Sequence, residues 1–215
     1  RILSLWAIVA LLVACQPGGG TAAGSSGQPL RVLAVETFLA DIAQHVAGDR
    51  LKVDSLIPIG VDPHGFEPTP ADVRKVADGN LLIVNGAGFE SFLDRLLQNA
   101  GGERTVIEAS AGLKSREPQP DEAAEHEANH DHGETDPHVW LDPVFVRDTL
   151  VPRLVTALSR LSPADASRFR ANGERLRTDL SRLDQDFRRT VTALPRRDFI
   201  ALHSAWGYLA KRYGL

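Results

Sequence analysis

From Pro163 to Leu194 the residues Phe169, Leu176, Leu180, Leu183, Phe187, Val191 and Leu194 recur at intervals of 7, 4, 3, 4, 4 and 3. That spacing lays a single apolar stripe along one helix. Ser162-Pro163-Ala164-Asp165 reads as its start, with a hydroxyl cap, proline at the first position and an acid in the first turn. Pro195 ends it, because proline cannot continue a helix. At 1.5 Å per residue the helix would be about 48 Å long. A compact α/β unit does not need such a length, so residues 162–194 are expected to link one lobe to another. The competing reading, half of a coiled coil, sits poorly with Arg188 and Arg189 in the final turns and with an apolar register that wanders.

Upstream, residues 30–161 alternate strand and helix patterns. Arg31 to Val35 is a short apolar strand, and Phe38, Leu39, Ile42 and Val46 follow at helical spacing up to Gly48. Leu51 to Ile59 returns to strand character. Thr69 and Pro70 look like the cap and first residue of a helix over Ala71 to Ala77. Leu81-Leu82-Ile83-Val84 has the continuous apolar character of a strand buried on both faces. Phe89, Phe92, Leu93, Leu96 and Leu97 then suggest the apolar face of a helix that stops at Gly101-Gly102, and Thr105 to Ala109 is another strand. Val144 to Leu161 reads as a helix in which Pro152 introduces a kink. The succession implies an α/β fold with a parallel sheet. Asp198 to Leu202 is expected to open a strand of a second lobe, with residues 195–215 forming its start.

Asn85-Gly86-Ala87-Gly88 is not a dinucleotide fingerprint, since the full glycine spacing and an acidic ribose partner are missing. It reads instead as a tight strand-to-helix turn. With 215 residues, 43% of them apolar, the chain can bury a substantial core. Its net charge of -4 offers no electrostatic footprint for nucleic acid. A cation suits it better.

Arg1 to Ala14 is a positively charged start followed by an apolar run too short to span a bilayer, which takes about 20 residues. It has the make-up of a signal peptide. Leu12-Val13-Ala14 leads directly into Cys15, the one cysteine, and resembles a bacterial lipoprotein signal, which implies cleavage before Cys15 and its lipidation. A lone cysteine forms no intrachain disulfide. Residues 15–29, with five glycines and two prolines, read as a flexible tether. Acyl chains would hold the domain at a membrane without spanning it.

Residues 114–135 break the α/β pattern. Seven acidic residues (Glu117, Asp121, Glu122, Glu125, Glu127, Asp131, Glu134) and three histidines (His126, His130, His132) stand there with no large apolar side chain. Such a segment cannot offset its ordering entropy by burial. Its imidazoles beside carboxylates suit weak accessory metal capture.

The segment runs into Asp136-Pro137-His138-Val139-Trp140-Leu141-Asp142-Pro143, which holds an imidazole between two prolines. Asp62-Pro63-His64 repeats the tripeptide upstream, in a loop after a strand, where ligands of open α/β sheets bind. His203 stands in a third, apolar setting at the end of the strand expected over Asp198 to Leu202. Three separated segments each offering one imidazole are what a metal site at the edges of two lobes requires. Three neutral imidazoles suit borderline metals, zinc among them. Each ligating ring should donate its other N–H to an outer partner, and Asp62, Glu67, Asp136 and Asp142 are near enough in sequence. Because the rings must be deprotonated to bind, acidification through the range where free histidine titrates, about pH 6.5, is expected to release the metal.

Asp62 to Pro70, Asp136 to Pro143 and Leu202 to Leu215, together with the lipoprotein start, resemble the metal-specific substrate-binding proteins of bacterial ABC importers, the group that takes up zinc or manganese. The resemblance covers nearly the whole chain. It implies a two-lobed α/β fold with a long rigid linking helix and a metal in the cleft. His64 and His138 match the family's ligands from the amino-terminal lobe, and His203 matches the third, from the other lobe. A fourth position, normally an aspartate or a water, falls further along, so an incomplete second lobe is expected at Leu215. Manganese-binding members often carry glutamate in place of the third histidine, so His203 favours zinc over manganese. An ABC permease is the implied partner, the protein a lipid-anchored extracytoplasmic monomer with no enzymatic activity.

Other functions fit less well. A zinc hydrolase would also use three histidines and an open position, but no His-Glu-x-x-His pair is present and the ligands come from separate lobes. A metal-dependent adhesin and a periplasmic zinc chaperone without a permease are the remaining alternatives.

Overall fold

The computed structural model describes residues 29–113, 136–203 and 205–215. The signal segment, Cys15, the tether up to residue 28 and the acidic segment with His126, His130 and His132 lie outside the described residues.

Four parallel strands, β1 (Val32–Ala34), β2 (Val53–Ser55), β3 (Leu81–Val84) and β4 (Thr105–Glu108), form a sheet in the order β2-β1-β3-β4. Val32 is level with Val53 on one side and Leu81 on the other. Alternation along each strand divides the core in two. Val32, Ala34, Leu81 and Ile83 face α1 (Thr37–Ala47), α4 (Val151–Leu161) and the first half of α5 (Ala166–Thr192). Leu33, Val35, Leu82 and Val84 face α2 (Pro70–Ala77) and α3 (Leu93–Ala100). Chain order reverses between β1 and β3, and such a switch point is where open α/β sheets place their ligands.

The local signals at α2 work as read. Thr69 accepts from the Asp72 N–H while the Asp72 carboxylate accepts from the Thr69 N–H, a reciprocal capping box with Pro70 in the first turn. Pro152 has no N–H for the Asp148 carbonyl. The helix widens there into a π turn, Val146–Leu150, instead of ending, and continues as α4.

Three expectations are corrected. Phe89 and Phe92 are not on the helix, which begins at Leu93. Gly86, Ala87 and Gly88 all take positive φ (78°, 53° and 74°), and this left-handed run turns the chain so that Phe89 drops into the interior. Ser162 does not cap a backbone N–H: its hydroxyl donates to the Asp165 carboxylate at 2.8 Å. The reason is that Pro163–Asp165 forms a 3-10 turn first and α5 begins at Ala166. The strand expected over Asp198 to Leu202 is not formed. A strand needs a partner for its backbone groups, no described strand pairs with it, and Ile200 and Leu202 stand 96% and 101% exposed. A short helix that the pattern did not indicate, α6 (Gly207–Tyr213), follows.

The long helix is real, at 27 residues and about 40 Å. Phe169 is fully buried in the lobe, and Leu176 and Leu180 pack against the same core. Leu183 is half exposed, and the stripe then turns to α6, where Phe187 meets the Tyr213 ring at 4.5 Å. The described chain is thus one α/β lobe, a long helix leaving it, and a short helical segment that folds back.

Candidate metal centre

The two Asp-Pro-His tripeptides adopt the same local geometry. The Asp62 carboxylate accepts from the His64 N–H at 3.0 Å, and the Asp136 carboxylate accepts from the His138 N–H at 3.0 Å. An aspartate that closes on the backbone two residues ahead makes an Asx turn, and the proline between fixes one backbone angle of the turn. Each histidine is thereby presented from a stiff corner.

His138 is 5% exposed. Asp136 Oδ1 meets its Nδ1 at 2.8 Å, so that nitrogen is held by its own loop and Nε2 faces His203. His203 Nε2 lies 3.2 Å from His138 Nε2. Two imidazole nitrogens on adjacent vertices of a tetrahedral zinc would be roughly 3.3 Å apart, given Zn–N bonds of about 2.0–2.1 Å. His64 completes the group: one ligand-capable atom from each of the three histidines lies within 4.8 Å of the others. Ring centroids are 6.0 Å (His64 to His138), 5.3 Å (His64 to His203) and 5.1 Å (His138 to His203) apart. His203 is exposed, so the group opens to solvent on its side.

Aromatic rings wall the lobe side. Phe89 sets its edge against His64 at 4.8 Å, Trp140 lies 5.2 Å from His138, and Phe38 stacks on Trp140 at 4.0 Å. A dry wall of this kind strengthens electrostatic interaction with a cation.

The other carboxylates expected near the rings are placed differently. Asp142 accepts from the N–H groups of Val144 and Phe145 and pairs with Arg212. Glu67 is exposed beside Pro68. Asp62 serves the His64 backbone.

Behind the site, at the carboxyl ends of β1 and β3, sit polar residues that sequence reasoning missed. Asn85 is fully buried, and its Nδ2 donates to the Pro137 carbonyl at 2.8 Å, steadying the His138 loop. Glu90 accepts from the Asn85 and Gly86 N–H groups. Glu36 is 1% exposed, and burial, reinforced by the Glu90 charge, pushes its carboxyl up to about 10. Burial also raises Glu90, against the pull of its two backbone donors. Asn85 stands directly after β3 and Glu36 two positions after β1, and a polar side chain closing an apolar strand was the available signal. Tyr208 and Arg212 were missed as well: the Tyr208 hydroxyl donates to the Asp136 carbonyl at 3.1 Å.

The lobe is an open parallel α/β sheet with an imidazole cluster beyond its strand ends, met from outside by a segment returning from a long helix. The chain belongs to the family described as zinc-uptake complex component A, periplasmic, whose model matches residues 32–215. It is 32% identical to the high-affinity zinc uptake system protein ZnuA of Bacillus subtilis, over 95% of this chain and 66% of that protein. It is 30% identical to the manganese-binding lipoprotein MntA of Halalkalibacterium halodurans, over 96% of this chain and 65% of that one. Among solved structures, the metal-dependent lipoprotein YcdH of Bacillus subtilis superposes with a TM-score of 0.73 at 29% identity, covering 86% of this chain and 65% of that chain. The chain thus spans about two-thirds of the length of these relatives.

Proposed function

We propose that the protein captures a divalent transition metal outside the cytoplasm and delivers it to an ABC-type permease, with zinc as the cargo its donor set suits best. The observation that carries this is the convergence of His64, His138 and His203, from three separate segments, on one point. Nitrogen donors favour zinc over manganese, which prefers more oxygen. Lipidation at Cys15 would hold the protein near its permease, and His126, His130 and His132 would add weak, fast-exchanging capture.

Manganese is the second reading, because relatives of equal coverage carry manganese in their names. Coordination geometry separates the two, because zinc outcompetes manganese at most nitrogen and oxygen sites whichever metal is carried. The cobalt(II) form of the chain is read by visible absorption. Zinc as cargo requires the intense spectrum of a four-coordinate site; the weak spectrum of a six-coordinate, oxygen-rich site would establish the second reading.

A further inference from the structure

We propose that Tyr208 and Arg212 are positioning residues of the metal centre: they fasten α6 to both ends of the 136–142 loop, so that one docking event brings His203 to His138. The proposal rests on the metal-capture reading above.

His138 depends on its loop, and the loop is gripped at its two ends by the same helix. At one end the Tyr208 hydroxyl donates to the Asp136 carbonyl, while the Asp136 side chain holds both the backbone N–H and Nδ1 of His138. At the other, Arg212 Nε donates to Asp142 Oδ1 at 2.9 Å and a second guanidinium nitrogen reaches Oδ2. Asp142 is buried and already receives the Val144 and Phe145 N–H groups. A forked guanidinium on a buried carboxylate is strong and directional.

His203 has little support of its own. Residues 196–201 form no regular structure, and Ile200 and Leu202 lie in solvent. The next anchored element is α6, which starts four positions beyond His203. Besides its two holds on the loop, α6 rests on the long helix, where Tyr213 meets Phe187 and Arg188. The seat of α6 therefore sets where His203 comes to lie and, through Asp136 and Asp142, how His138 is held. A metal bridging the two rings stabilises the docked helix, and by linkage the docked helix raises metal affinity by the same factor.

The test measures zinc dissociation constants by chelator competition, and the visible absorption of the cobalt(II) form, for the parent chain, Tyr208→Phe, Arg212→Lys and His138→Ala. Outer residues that orient metal ligands contribute roughly 10- to 100-fold in affinity, and losses of that size are expected for Tyr208→Phe and Arg212→Lys. A shifted cobalt band should accompany them, with far-ultraviolet circular dichroism unchanged. Lysine keeps the charge and the stem of Arg212 but not its fork, so a merely structural role would be rescued by it. Tyr208→Phe removes one oxygen and tests the same hold if Arg212→Lys folds poorly. Parent-like affinity and cobalt spectrum in both variants, with His138→Ala impaired, would overturn the positioning role alone. An unimpaired His138→Ala would overturn the metal reading and this proposal with it.

Discussion

The Nε2 atoms of His138 and His203 stand 3.2 Å apart across 65 residues of sequence. That separation is one a shared proton or a shared metal can hold, and the site's other features favour the metal. Asp136 fixes the far nitrogen of His138, and aromatic rings shield the lobe side.

Asp136→Asn keeps an acceptor for the His138 backbone N–H but removes the charge that orders the ring. Zinc affinity is expected to fall roughly 10- to 100-fold, with little change in thermal midpoint. Isothermal titration calorimetry beside a melting curve checks this; parent-like affinity would remove Asp136 from the site.

Glu36→Gln should change how stability varies with pH. The Glu36 carboxyl is raised from 4.5 to about 10 in the folded protein. Below pH 4.5 it is protonated in both states; above, the unfolded chain releases the proton while the folded one keeps it, so stability is lost as pH rises toward 10. Glutamine cannot ionise and escapes this loss. The variant's melting temperature, relative to the parent, should climb steadily between about pH 5 and 9, and a flat difference would contradict the assignment.

Gly173→Ala should destabilise, although alanine is ordinarily the better helix former by about 1 kcal/mol. A Cβ at Gly173 would stand 2.5 Å from Val155 Cγ2, where the long helix presses on α4. Overpacking of this kind costs about 1–3 kcal/mol, and urea unfolding measures it.

Thr69→Ala removes one half of the capping box of α2 and is expected to cost about 1 kcal/mol. The loss should appear in urea unfolding without touching zinc affinity, because the Asx turn at His64 is closed by Asp62.

Much of the lobe was legible because its signals are local. β3 is buried at every position and reads as an unbroken apolar run. Thr69-Pro70 and the Asp-Pro-His turns are closed by groups two or three residues away. What was missed depends on distant parts of the chain. Phe89 has helical spacing to Phe92 and Leu93, and only the left-handed Gly86 to Gly88 turn removes it from the helix. The apolar run before His203 resembles a strand, but pairing decides a strand and none is available among the described residues. Arg212 has nothing local to mark it, since its partner Asp142 lies 70 positions away.

The central claim is that His138 holds a metal with His64 and His203. Native mass spectrometry of the chain from Gln16 onward, zinc-loaded and then exchanged into weak chelator, tests it most directly beside His138→Ala. The account predicts one retained zinc in the parent and none in the variant. Equal retention in both would contradict it and place the metal elsewhere on the chain.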